Sequence, residues 1–367
     1  MPAGAFEAFR EDLGLSYRTA SAVLTLMAIG GIAGSVFTVL ADSRSRRAIA
    51  TVGAFGYAAS IAAFAAGHSL WVLAIGSIGI GLFSTALVDA TEIAAVDLAG
   101  DELEPLLARI NVGATAGDFI GPALLASVAL LGGSWRTALL LSAAGMALFG
   151  CVVAAAPLPP PHPHHAQGHA PLRETLAMLR SARVWWAGAL GAGLVALDES
   201  FLAYVIASFE NERGSSRGAS VLLGAAMVLG AASASLLLSR KVARRATPVR
   251  LRVAAAVLTV TAVAIAVAPT VWAPAMAAFG FGAATIAFWL PLQAFTLRLH
   301  PGRAGTTKAV LGAIEMFGLL IPIGIGALSD RAGLDAGLLL YATVPALMLA
   351  LTMLYDDPAH AKRARAM

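Results

Sequence analysis

The sequence predicts an all-α membrane protein with about eleven full transmembrane helices in two pseudo-symmetric six-helix bundles. Three observations predict it. Hydrophobic residues make up 59% of the 367 and charged ones only 13%, with a mean hydropathy of +0.80, more apolar surface than a water-soluble interior of this size can hide. Eleven runs approach the roughly 20 residues that cross about 30 Å of hydrocarbon, and they are continuously apolar, without the period-two alternation of a barrel strand. Features of the first half also recur in the second at an offset near 200 residues, as in internally duplicated bundles.

The runs lie at about 20–40, 49–67, 71–94, 109–131, 136–156, 184–207, 218–239, 251–268, 271–296, 306–328 and 334–354. Residues 157–182 are the one long polar stretch, and the prolines of PLPPPHPHHAQGH bar a helix there. This gives a first bundle at 1–156, a linker at 157–182, a second bundle at 183–356 and a basic tail at 357–367. His162, His164, His165 and His169 in the linker have no Cys or acidic neighbour, so they read as solvated, and no metal or cofactor is expected. Cys151 is the only cysteine, so no disulfide forms.

Charge placement sets orientation. Alternate connections and the tail carry 19 of the 25 Lys and Arg residues, leaving Arg10, Arg18, Arg136, Arg213, Arg217 and Arg331 on the other side. The rich side is cytoplasmic by the positive-inside rule, which puts the C-terminus in the cytoplasm and the chain in the plasma (inner) membrane. Trp71, Trp135 and Trp272 then fall at outer interfaces and Trp185 and Trp186 at an inner one. The net charge of +4 is thus membrane topology, with the lipid bilayer as partner and no nucleic acid. A monomer is expected. Glu7, Arg10, Glu11 and Asp12 interrupt any signal-peptide core.

The repeat is specific. Arg46 and Arg47 match Arg244 and Arg245 at an offset of 198; Asp118 and Gly121 match Glu315 and Gly318 at 197; Glu92 matches Gln293 at 201. Residues 5–16 (AFEAFREDLGLS) lie on 205–216 (VIASFENERGSS) at 200, pairing Phe9, Gly14 and Ser16 with Phe209, Gly214 and Ser216. On that alignment the counterpart of Arg183 falls at about −17. The expectation is a native product of twelve spans with most of the first preceding Met1; the alternative is a genuine eleven-span chain.

Two six-helix halves joined by a cytoplasmic loop resemble the major facilitator superfamily over the whole chain. LADSRSRR, Leu40 to Arg47, is similar to the family signature G-x-L-a-D-r-x-G-R-[RK]. Asp42, Arg46 and Arg47 match, whereas Thr38, Ser43 and Ser45 stand where Gly, Arg and Gly are usual. The resemblance implies that this loop gates the cytoplasmic side through a charge network. GATAGDFIGP, Gly113 to Pro122, is similar to the G-x-x-x-G-P of proton-coupled exporters through Gly117, Gly121 and Pro122, without the Gly pair that usually follows. ALSDRAGL at 327–334 resembles the outer loop before the family's last helix.

Ionisable groups at membrane depth are functional candidates, and six qualify: Asp89, Glu92, Asp118, Asp198, Glu199 and Glu315. Asp118 and Glu315 lie about nine residues from the basic ends of their runs, roughly 14 Å at 1.5 Å per residue, hence near the midplane. Asn111, Thr115 and Asp118 form one polar stripe expected to face a cavity. Asp89 and Glu92 share a face nearer the cytoplasmic end, and Asp198 and Glu199 point about 100° apart. Every Lys and Arg sits at a span end or in a loop, so the acids near the midplane are expected to lack a cation. Such an acid is driven toward its neutral form, and one that alternates can carry a proton; the alternative is a protonated acid that only bonds a neighbouring helix. Met227, Phe279, Phe281 and Phe288 read as core sooner than as pocket lining.

These residues predict a secondary transporter working by alternating access, with a small-molecule solute and protons as partners. Proton-coupled efflux of a cationic or neutral lipophilic compound is the preferred form. An importer or facilitator without proton coupling, or a non-transporting sensor or scaffold, is the alternative. No HExxH, nucleophile elbow or phosphate loop supports an enzyme.

Overall fold

The structure, a computed structural model, describes residues 6–160, 177–197, 199–240, 247–270, 274–300 and 302–354. The histidines of the linker, Arg244, Arg245, Trp272, Asp198 and the basic tail lie outside the described residues.

The helices follow the apolar runs: α1 (Phe6–Asp12), α2 (Tyr17–Leu40), α3 (Arg46–Ala66), α4 (Leu70–Ala99), α5 (Leu103–Leu130), α6 (Trp135–Ala155), α7 (Ala182–Leu197), α8 (Glu199–Asn211), α9 (Arg217–Leu238), α10 (Thr247–Val267), α11 (Ala275–Leu297), α12 (Ala304–Glu315), α13 (Leu320–Ala332) and α14 (Leu334–Met353). Nine described spans are long and apolar enough to cross a membrane, with α7–α8 and α12–α13 counted as one each; α2 and α9 carry shorter apolar stretches, Thr25–Leu40 and Leu222–Leu238. Ser16, Ser45, Ser69 and Ser134 precede α2, α3, α4 and α6, each accepting the backbone N–H three residues on. A serine there satisfies an amide that the helix cannot.

The chain divides into two compact units. The first comprises residues 1–100, 116–175 and 297–309, the second 101–115, 176–296 and 310–367. Within the first, α2 crosses α4 at reciprocal glycines: a Cβ on Gly30 would overlap the Ile78 carbonyl, and one on Gly81 the Met27 carbonyl. Within the second, α9 crosses α11 in the same manner, with Gly230 against the Phe279 carbonyl and Gly282 against that of Met227. These positions repeat at offsets of 200 and 201. Hydrogen in place of a side chain lets backbones touch, the main source of helix attraction where lipid competes for apolar surface.

Each unit also carries an arginine staple, with the charges exchanged. Arg136, opening α6, donates to the carbonyls of Ala65 and Gly67 at 2.6 and 2.7 Å and pairs with Asp12 of α1 at 2.9 Å. Arg213, just past α8, donates to Ala266 and Ala268 at 2.6 and 2.5 Å and pairs with Asp335 of α14 at 2.7 Å. Both arginines satisfy carbonyls left over at a helix C-terminus, those of α3 and α10. Gly14 and Gly214 turn the chain before α2 and α9 at φ +60° and +63°, conformations suited to glycine. Trp135, expected at an outer interface, is buried against Phe9 and Phe64 with ring centroids 6.1 and 6.2 Å away. It covers the apolar side of this staple, whereas Trp71 is 79% exposed.

Candidate functional site

The turn between α2 and α3 holds Asp42 and delivers Arg46 to the start of α3. Asp42 accepts the backbone N–H groups of Gly305 and Thr306 at 2.8 and 2.7 Å and the Thr306 hydroxyl at 2.8 Å. It therefore caps the N-terminus of α12, where unpaired amides and the helix dipole favour an anion. Burial pushes the Asp42 carboxyl above the ordinary carboxylate range; its hydrogen bonds and the Arg46 charge pull the other way without cancelling that. Arg46 Nε donates to the Ala41 carbonyl at 3.1 Å, and its guanidinium pairs with Asp97 of α4. Arg47 is exposed.

One turn into α12, Lys308 Nζ lies 2.7 Å from Asp89 Oδ1 and also pairs with Glu92. Thr38 Oγ1 donates to the other Asp89 oxygen at 2.5 Å. Both acids are 8% exposed. The expectation of no cation concerns the acids near the midplane, whereas Asp89 and Glu92, nearer the cytoplasmic end, meet one. Lys308 does start at a span end, but its flexible stem carries the ammonium inward to α4.

Glu315 ends α12, and Met316–Leu319 continue as a 3-10 turn before α13 begins. The span that the sequence reads as one run at 306–328 is thus broken at its acid. Pro322 sits in the first turn of α13 and has no N–H for the Gly318 carbonyl, which removes an α-helical bond across the break. α7 accommodates the break with glycine: a Cβ on Gly191 would overlap the Glu315 carboxylate, one on Gly188 would overlap Ile314, and one on Gly318 would overlap the Ala192 carbonyl. Beside this contact an apolar groove of about 580 Å³ is lined by Trp185, Ala192, Ile314, Phe317, Leu347 and Met348.

Two residues of the polar stripe of α5 have described hydrogen bonds. Asn111 Nδ2 donates to Ser235 Oγ of α9 at 2.8 Å, and the Thr115 hydroxyl donates back to the Asn111 carbonyl at 2.9 Å. Asn111 thus ties α5 to α9, while Thr115 bonds within its own helix. At the head of α5, Glu104 pairs with Arg250 through both carboxylate oxygens. Asp118 lies in α5 and Glu199 opens α8, but their side chains, with that of Pro122, lie outside the described set. Gly117 faces open space, whereas Gly121 is buried. Phe281 and Phe288 are core, Phe281 stacking on Phe201 with centroids 4.6 Å apart.

Asp42, Asp89 and Glu92 thus converge on the first turns of α12, while Glu315 stands on α7. Sequence reasoning missed Thr38, Asp97, Thr306 and Lys308, since no spacing rule joins α4 to a helix more than 200 residues later.

The profile described as Major Facilitator Superfamily matches residues 1–321. No curated protein sequence matches the chain. Among similar solved structures, the MFS transporter FucP in the outward conformation has a TM-score of 0.70 at 17% identity, over 91% of this chain and 90% of that one. The human organic anion transporter MFSD10 has a TM-score of 0.72 at 19% identity, over 96% and 89%. A variant of the E. coli fucose:proton symporter FucP has 0.73 at 16%, over 97% and 95%. At these identities the likeness establishes the fold.

Proposed function

Because the chain belongs to the Major Facilitator Superfamily and is a multi-pass membrane transporter, we propose that it exports a cationic or neutral lipophilic solute in exchange for protons. The observation that carries this reading is Glu315, an acid at the break of a membrane span, laid on the α7 backbone where Gly191 leaves room. Transporter sites are commonly built where a membrane span departs from the α-helix, and a mid-span 3-10 turn is a natural hinge. The apolar groove beside Ile314 and Phe317 supports a lipophilic solute.

In this reading Glu315, Asp118, Asp198 and Glu199 exchange protons for solute. Asp42, Arg46 and Arg47 gate the cytoplasmic side, and Gly117, Gly121 and Pro122 carry the preference for export. The chain works as a monomer in the inner membrane with a cytoplasmic C-terminus. A proton symporter is the second reading, favoured by the fucose:proton symporter among the similar folds.

Proteoliposomes with an imposed pH gradient test both, using a panel of lipophilic amines, organic anions and sugars. A lipophilic amine should move against the proton flux, and Glu315→Gln should abolish the gradient-driven part. Movement with the protons supports the symporter. Flux indifferent to the gradient, or unchanged in Glu315→Gln, overturns proton coupling.

A further inference from the structure

The apolar groove beside the broken span has a defined length and two unlike ends. Its α14 wall runs from Leu340 to Leu351, roughly 16 Å at 1.5 Å per residue. That is about half of the roughly 30 Å of hydrocarbon in a bilayer, the depth of one leaflet. Trp185 and Leu351 bound one end, where Trp186 Nε1 donates to the Leu351 carbonyl at 2.9 Å and ties α7 to α14. Gly324 lines the groove toward the other end, and a Cβ on it would meet nothing within 4 Å. The wall is open to lipid, with Phe317 and Leu347 60% and 64% exposed.

This wall offers a ligand no free polar side chain. Thr343 and Trp185 are its hydrogen-bond donors, and both are bonded to backbone: Thr343 donates to the Leu340 carbonyl at 2.6 Å and Trp185 to that of Leu179 at 2.7 Å. Small-molecule sites hold a few placed polar groups that fix orientation, so a wall without them suits a plain hydrocarbon chain. Cations stand instead at the Trp185 end. The bond from Trp185 to Leu179 brings the next residue, Arg180, to the rim. Arg183 lies in the first turn of α7, and both arginines are exposed.

We propose that the groove holds one acyl chain of an anionic phospholipid from the leaflet at the Trp185 end, with the lipid phosphate on Arg180 and Arg183. A guanidinium binds phosphate through paired N–H groups, and basic sites between spans at the membrane surface select anionic headgroups. An exposed indole marks the same interface. The hydrocarbon then covers Phe317 and Leu347 and ends near the midplane, where the groove ends. Apolar walls also suit a lipophilic solute, but a cationic one would meet like charge at this mouth. The site goes beyond the transport reading and needs only a membrane-spanning chain.

The test uses the 367-residue chain in phosphatidylcholine liposomes holding a trace of phosphatidylglycerol with a photoreactive diazirine in its acyl chain. Illumination should place cross-links on Phe317, Leu320 and Leu347, located by peptide mass spectrometry. Phosphatidylcholine with the same photoreactive chain should label them far less. Arg180→Gln and Arg183→Gln should each lower the phosphatidylglycerol cross-links about fivefold, and together about 25-fold. Gly324→Phe fills the groove and should abolish them without lowering the midpoint of thermal unfolding. Gly145→Phe, at a glycine of α6 that also faces open space, should leave them unchanged.

Equal labelling by the two lipids, or cross-links that survive Gly324→Phe or the paired arginine variant, overturns the site. Displacement of the probe by the lipophilic amines of the flux assay, with no effect of the arginines, gives the groove to the solute. A dimer that Gly324→Phe converts to monomer gives it to a second copy, and either result also overturns the proposal. None of these outcomes bears on proton coupling, which the flux under a pH gradient decides separately.

Discussion

Arg213 shows what one side chain contributes at a span end. It is buried to 8% exposure of its side chain, pairs with Asp335 and closes the free carbonyls of α10. Removing it strands those acceptors, so Arg213→Ala should lower stability by about 3 kcal/mol, read as a lower midpoint of thermal unfolding in detergent. The first unit already holds the same joint with the charges reversed, Asp12 against Arg136. Exchanging them in the second, Arg213→Asp with Asp335→Arg, should therefore recover most of the loss. If the exchanged protein is no more stable than Arg213→Ala, the two joints are not equivalent. The sequence exhibits these charges at span ends but not which one meets which, because each pair is joined across more than 120 residues.

Between helices, glycine matters where a backbone stands opposite. Gly81→Ala and Gly282→Ala would each drive a methyl group into a carbonyl, of Met27 and Met227, and each should cost on the order of 1–3 kcal/mol by overpacking. Gly117 faces open space, so Gly117→Ala should be neutral or stabilising by up to about 1 kcal/mol through helix propensity. Equal losses in all three would refute this division. It was only half legible beforehand: the exporter-like motif drew attention to Gly117, whereas Gly81 stood out from no other glycine in its run. The break after Glu315 escaped for a similar reason. Gly318 and Pro322 are its marks, but that the break lies against Gly188 and Gly191 of α7 shows only in the tertiary contacts.

For the whole molecule, the bilayer acts before any tertiary contact. With 19 of 25 Lys and Arg residues on one side, the C-terminus should be cytoplasmic. Green fluorescent protein fused after Met367 should fluoresce, and alkaline phosphatase there should stay inactive; the reverse outcome would invert the assignment. The helical membrane fold, the duplication and membership of a transporter family were all readable from the sequence. Each follows from lengths, hydropathy and spacing along one chain, and lipid enforces them locally because every span must satisfy its own backbone. The acids were readable as types but not as states. Whether Asp89 meets an ammonium, Asn111 a serine or Glu315 a glycine face depends on helices distant in the chain packing to within a bond length. Only the tertiary structure decides which carboxylates are neutralised in place.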